Sequence, residues 1–159
     1  MSSVRTIEDS LRNPMPGEPP WGLALLFPEQ GGWSEEEYLA LDTNHLVEFV
    51  DGCLEFPPMP TQTHQWIAGH LYRFLFSAIA DHGLGKVWHA PYRVQAPDRF
   101  REPDVVCILN RNLDKAGERY TEAADLVVEV ASEADPDRDW VTKKAEYAAA
   151  GIPEYWIAD

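Results

Sequence analysis

Asp125-Leu126-Val127-Val128-Glu129-Val130-Ala131 reads as a strand apolar enough to be fully buried, except for the carboxylate in its middle. A charge inside such a run is costly unless something compensates it. Glu129 therefore marks a site. A second acid, Asp104 in Glu102-Pro103-Asp104-Val105-Val106-Cys107-Ile108-Leu109, stands at the mouth of another apolar, β-rich run, directly after a proline that fixes where the strand begins. If these strands are antiparallel neighbours, the start of the first lies beside the end of the second, and the two carboxylates meet at one edge of a sheet. Converging carboxylates of this kind offer oxygen ligands to magnesium or manganese.

The segments around these strands complete a mixed fold. Ser34-Glu35-Glu36-Glu37 is a capping box, stapled by Trp33 and Tyr38, and predicts a short helix to about Leu41. Leu46 to Val50 and Leu54 to Phe56 flank Asp51-Gly52, a dipeptide that favours a tight β-hairpin turn. From Thr63 to His82, Ile67, Leu71, Phe74, Leu75 and Ala78 recur at helical spacing, with Gly83 placed to cap the end. Val87 to Val94 alternates as one strand and should pair antiparallel with the strand after Pro103, through a turn at Ala96-Pro97-Asp98-Arg99. Residues 111–124 are polar and irregular, with at most one helical turn. Asp137 to Ala150 is an alanine-rich helix with Val141, Ala145 and Ala148 on one side, stopped by Gly151 and Pro153, and Glu154 to Ala158 forms a last strand. The fold class expected is α+β or mixed α/β, with no internal repeat.

A chain of 159 residues with 45% hydrophobic content is expected to form one domain, from residue 21 to 159, after a proline-rich flexible arm over residues 1–20. Trp21 to Phe27 is the first segment apolar enough to dock. No run approaches the length of a membrane span, and the N-terminus lacks the basic start and apolar centre of a secretory signal, so a cytoplasmic protein is expected. Cys53 and Cys107 lie in strand-like contexts without zinc spacing and read as free thiols, while His45, His70, His82 and His89 show no zinc pairing. The formal net charge of −14 gives the chain no global attraction for a phosphate backbone. Any nucleic-acid site must be local, with Arg93, Arg99, Arg101, Lys143 and Lys144 available as a modest basic rim.

Lys143 follows the Glu129 strand on the next helix, shares a side with Tyr147, and can reach back to orient a water or neutralise a phosphorane. Lys144 competes for that role. Glu48, inside another apolar β run, is a candidate third acid acting through the outer shell of a metal. Each assignment has a plainer structural alternative. Glu129 would be a buried acid paired with an arginine or lysine, Asp104 a strand-start or turn residue, Lys143 a solvated helix lysine, Glu48 a residue on the solvent face of the hairpin, and His64 a helix-start histidine.

Taken in order, Glu48-Phe-Val-Asp51-Gly52, His64, Pro103-Asp104-Val-Val, Asp125-Leu-Val-Val-Glu129-Val-Ala-Ser132, Asp139, Lys143, Tyr147 and Gly151-Ile-Pro-Glu154-Tyr-Trp-Ile-Ala-Asp159 carry a resemblance. The chain resembles the bacterial putative restriction endonuclease family of the PD-(D/E)XK nuclease superfamily, from Trp33 to its last residue. That resemblance implies a restriction-endonuclease-like core of helix, three-strand antiparallel meander, helix and strand, behind an N-terminal helix and β-hairpin. It implies Asp104 and Glu129 as the metal-binding acids, Lys143 as the catalytic lysine, Glu48 as an additional active-site acid, Mg2+ or Mn2+ as cofactor, and nucleic acid, DNA in particular, as substrate. The simplest superfamily pattern places lysine two residues after the glutamate, where this chain has Ala131. The family resembled carries it instead on the following helix, four residues before a tyrosine, which selects Lys143 over Lys144. Related chains of that family continue into further strands, so the end at Asp159 is expected to be either a truncation of the nuclease domain or a shortened natural form. The rival expectations are a nuclease-fold binding or assembly module without activity, and a hydrolase of smaller phosphoesters. A homodimer would give two active centres for the two strands of a duplex.

Overall fold

The computed structural model describes residues 28–41, 46–132 and 137–159. The expected arm over residues 1–20, the docking segment Trp21 to Phe27 and His45 all lie outside them.

Helix α1 (Glu35–Leu39) starts as its capping box requires: the Ser34 hydroxyl accepts from the Glu37 amide, and the Glu37 carboxylate accepts from the Ser34 amide at 2.9 Å. The hairpin of β1 (Glu48–Val50) and β2 (Cys53–Glu55) turns at Asp51 and Gly52, both with positive φ. A Cβ at Gly52 would also stand 2.8 Å from the Gly31 carbonyl oxygen, so glycine is needed for space as well as for conformation. Helix α2 (Gln62–Ile79) is capped by Thr61 and ends in a Schellman arrangement, with Leu84 donating to Ile79 and Gly83 to Ala80.

Two sheets follow. One has the order β2-β1-β5-β4-β7 and the other β3-β6-β8-β9, where β3 is Gly85–His89, β4 Arg93–Ala96, β5 Arg99–Arg101, β6 Val105–Leu109, β7 Tyr120–Thr121, β8 Leu126–Val130 and β9 Glu154–Ala158. In the second sheet β3, β6 and β8 form the expected antiparallel meander, and β9 adds in parallel to β8 after a helical crossover. Flanked on both edges, β8 is buried at all five positions, which is why its sequence runs apolar without alternation. Leu126 and Val128 pack with Leu75 of α2 on one face, whereas Val127 packs with Tyr147 on the other. The first sheet carries an aromatic cluster of Tyr38, Phe49 and Phe100, with the Tyr38 hydroxyl donating to the Val47 carbonyl at 2.8 Å.

Three expectations are corrected. The strand expected over Val87 to Val94 is two strands: β3 pairs with β6, whereas β4 pairs with β5 in the other sheet. Pro91 between them has no amide to continue a ladder, so the chain changes sheets there. The helix expected over Asp137 to Ala150 is a π-helical turn, Arg138–Lys143, running into α3 (Lys144–Ala149), and its buried residues are Asp139, Lys143, Glu146 and Tyr147, while Val141 is 62% exposed. Charge pairing with the sheet chose the inward face over the alanine stripe. On α2, Leu75 is buried but Phe74 is 63% exposed, because the helix touches the sheet along one narrow stripe.

Candidate active site

Register brings the two acids together. Val105 of β6 stands opposite Val128 of β8, so Asp104, one residue earlier, stands opposite Glu129. The Val130 amide donates to Asp104 Oδ2 at 2.8 Å, which fastens the acid across the strand gap. Period-two alternation turns Glu129 to the same face as Val127, toward the helix that follows β8. That helix answers with a polar stripe at positions 139, 143 and 147. Lys143 Nζ lies 2.8 Å from Glu129 Oε1, 3.5 Å from Asp139 and 3.7 Å from Glu48 Oε1, and the Tyr147 hydroxyl donates to Glu129 Oε1 at 2.7 Å. Lys143 is buried and Lys144 exposed. His64, in the first turn of α2, places Nε2 3.3 Å from Asp104 Oδ2.

Glu48 is 1% exposed and does not lie on the solvent face of the hairpin. Its Oε1 accepts from the Glu102 amide at 3.1 Å, and its Oε2 from Arg101 at 2.8 Å and from Arg138. Arg101, 2% exposed, grips Glu146 through Nε and Nη2 at 2.8 and 2.9 Å, and gives Nη1 to Glu48 and to Glu55 at 2.6 Å. Arg99 binds Glu146 at 2.5 Å and Asp51 at 3.1 Å, and Arg93 binds Glu102 at 3.2 Å. The basic rim expected from Arg93, Arg99, Arg101 and Lys143 is therefore internal: these cations neutralise buried acids rather than face a ligand. Arg101 was expected only in the basic rim, and Arg138 and Glu146 carried no expectation. Their pairings span 45 to 90 positions, and the only local signal is the charge-dense Arg99-Phe-Arg-Glu102 at the edge of an apolar run.

Electrostatics follow from this packing. Burial pushes the Glu129 carboxyl up to about 7, the neighbouring Asp104 and Glu48 add to that, and Lys143 opposes it. For Lys143, burial alone would favour the neutral amine, but Glu129, Glu48 and Asp139 outweigh it and hold the group above the ordinary lysine range. Burial likewise raises Glu102 to about 7, against the pull of Arg93. Glu48 and Glu146 are also buried, yet their cations more than compensate and keep both below the ordinary carboxylate range.

These shifts predict the pH dependence of stability without metal. Glu129 and Glu102 have folded values near 7 against an ordinary 4.5, so the stability they contribute is complete below about 4.5 and is lost as pH rises through about 7. The contribution of Glu48 and Glu146 has the opposite sign: it is present above the ordinary carboxylate range and lost on acidification. Thermal melts with a chelator should therefore peak in mild acid and decline toward pH 8, and Glu129→Gln should flatten that decline. A melting temperature still rising from pH 5 to 8 would contradict the assignment.

Among the described residues no cluster of three or more His, Cys, Asp or Glu side chains is spaced to hold a metal alone. Magnesium does not need one, since it commonly takes one or two carboxylates and completes its octahedron with water and substrate oxygens. Asp104 uses Oδ2 and Glu129 uses Oε1 for the bonds above, and neither Asp104 Oδ1 nor Glu129 Oε2 receives a hydrogen bond from the described residues. Two hard oxygens are thus left over at adjoining positions, which suits such a cation.

A meander, a crossover helix and a parallel strand together form a nuclease-like fold. The chain belongs to the Uma2 family, described as "Putative restriction endonuclease", which matches residues 35–159. Among solved structures it is similar to one described as a putative nuclease belonging to DUF820 from Anabaena variabilis ATCC 29413, with a TM-score of 0.63 and 18% identity over 82% of this chain and 73% of the other. No curated protein matches it. No helix of the described residues is long and apolar enough to cross a membrane.

Proposed function

We propose that this chain is a divalent-metal-dependent endonuclease that hydrolyses phosphodiester bonds of nucleic acid, DNA by family likeness, with Asp104 and Glu129 as the residues that would hold Mg2+ or Mn2+. The observation that carries the reading is the meeting of these two acids at facing strand positions with the Lys143 ammonium 2.8 Å from Glu129. When bound, the cation would polarise a phosphoryl oxygen and lower the pKa of a water. Lys143 is kept protonated by its carboxylate neighbours, so its part is that of a cation and donor for the charge that grows on phosphoryl oxygens. Tyr147 holds Glu129 Oε1 in place. Glu48, saturated by Arg101, Arg138 and the Glu102 amide, keeps its charge near Lys143 and supports the site without ligating.

Incubation with single- and double-stranded DNA and RNA, with Mg2+ or Mn2+, tests the activity. Lys143→Met should reduce cleavage by roughly 10²- to 10³-fold while leaving metal affinity at least as strong, because it removes a competitor for Glu129. Equal cleavage by both proteins would remove Lys143 from the mechanism.

One observation favours the second reading, a binding module or a hydrolase of smaller phosphoesters: Arg93, Arg99, Arg101 and Lys143 are spent on internal acids in a chain of net charge −14. Substrate profiling with small phosphodiesters separates the hydrolases. Absence of metal affinity identifies the module.

A further inference from the structure

His64 is fixed at both ends. Its amide donates to the capping Thr61 hydroxyl at 3.2 Å, and its Nε2 lies 3.3 Å from Asp104 Oδ2, the oxygen that also accepts the Val130 amide at 2.8 Å. A carboxylate oxygen accepts and never donates, so the ring must carry its proton at Nε2 to make this contact. Nδ1 is buried and has no partner among the described residues. A buried polar atom left without a partner is uncommon and costs stability. The ring is thus oriented by Asp104, with the Val130 backbone as a second partner of the imidazole.

The consequence falls on Asp104. With two donors on Oδ2, rotating the carboxylate would break both contacts, so Oδ1 is held as the outward oxygen. Glu129 is treated in the same way by different groups, Tyr147 and Lys143 both meeting Oε1. Each acid therefore has one oxygen clamped by two donors and one left over. We infer that His64 is a positioning residue of the acid pair, its Nε2–H and the Val130 N–H together clamping Asp104 Oδ2 so that Oδ1 is presented to a divalent cation. This rests on the proposed reading of Asp104 as a metal-binding acid. Partners that orient ligating carboxylates commonly change metal affinity by about 10- to 100-fold when removed.

The test is a Mn2+ titration of the full chain, followed by loss of the free-ion electron paramagnetic resonance signal, for wild type, His64→Ala, His64→Gln and Asp104→Asn, with thermal melts of each. His64→Ala should bind Mn2+ about 10- to 100-fold more weakly, His64→Gln should recover most of that loss because its amide can again donate near the Nε2 position, and Asp104→Asn should bind weakest. If the alanine variant does not fold, His64→Leu fills the space without a donor and carries the same comparison. Wild-type or tighter affinity in the donorless variant, with binding lost in Asp104→Asn, overturns the positioning role alone. Failure of Gln to restore affinity that Ala or Leu has lost overturns it as well. Unchanged affinity in Asp104→Asn overturns the acid-pair reading and this inference with it.

Discussion

Asp104→Asn is expected to cut metal-dependent cleavage by at least about 10³-fold, a loss of about 4 kcal/mol of transition-state stabilisation, with little change in fold. The side chain keeps its volume and can still accept from the Val130 amide, so the strand register survives. What disappears is one of two negative charges at facing strand ends, and with it the charge that would bind a cation. Glu129→Gln should be as inactive but differ in stability: at pH 8 it removes a charge that burial disfavours, and the variant should melt no lower than wild type. Measuring cleavage and melting temperature for both variants separates loss of chemistry from loss of structure. Cleavage by Asp104→Asn within tenfold of wild type would mean the acids are placed for some other purpose.

The second large effect is expected at Arg101. This guanidinium is 2% exposed and joins Glu48, Glu55 and Glu146, three acids from three elements. Removing it with Arg101→Met leaves Glu48 and Glu146 buried with their charge only partly compensated by Arg138, Arg99 and Lys143. Breaking one side of a buried pair typically costs about 3–5 kcal/mol, which for a chain of this size is roughly a 10 °C fall in melting temperature. The loss should shrink on moving from pH 8 to pH 5, as the abandoned carboxyls take up protons. Arg101→Met with Glu146→Gln should recover part of it, since the pair is coupled. A melting temperature within 2–3 °C of wild type for Arg101→Met at pH 8 would show that the network is wetter than its packing indicates.

The sheet that bears the site was legible because β6 and β8 write their burial directly into sequence as unbroken apolar runs, and Glu129 interrupts one of them. Their antiparallel pairing was a condition that the family resemblance supplied as a meander, and the register brings Asp104 and Glu129 opposite each other. The final strand was equally plain. Where reading failed, two local signals competed and tertiary contacts decided. On the last helix an alanine-rich stripe and a charged stripe both have helical spacing, and it is Glu129 and Glu48 that turn Lys143 inward and Arg99 and Arg101 that turn Glu146 inward. Alternation left Glu48 open between the site and the solvent face, and Val47, Glu48 and Phe49 are all buried, because the aromatic cluster covers one face of β1 and the Arg101 network the other. Arg101 itself was illegible: nothing in Arg99-Phe-Arg-Glu102 distinguishes an exposed edge from a buried hub when the partners lie some 50 positions away. Selection of Lys143 over Lys144 came through the family resemblance alone; in the fold Lys143 is buried and Lys144 is exposed.

Placement of a cation tests the proposed centre most directly. In crystals soaked with Mn2+, the anomalous difference map should show one strong peak between the carboxylates of Asp104 and Glu129, on the side of Asp104 Oδ1 and Glu129 Oε2, and lose it in Glu129→Gln. A map with its peaks at surface acids and none between these two residues would contradict the account.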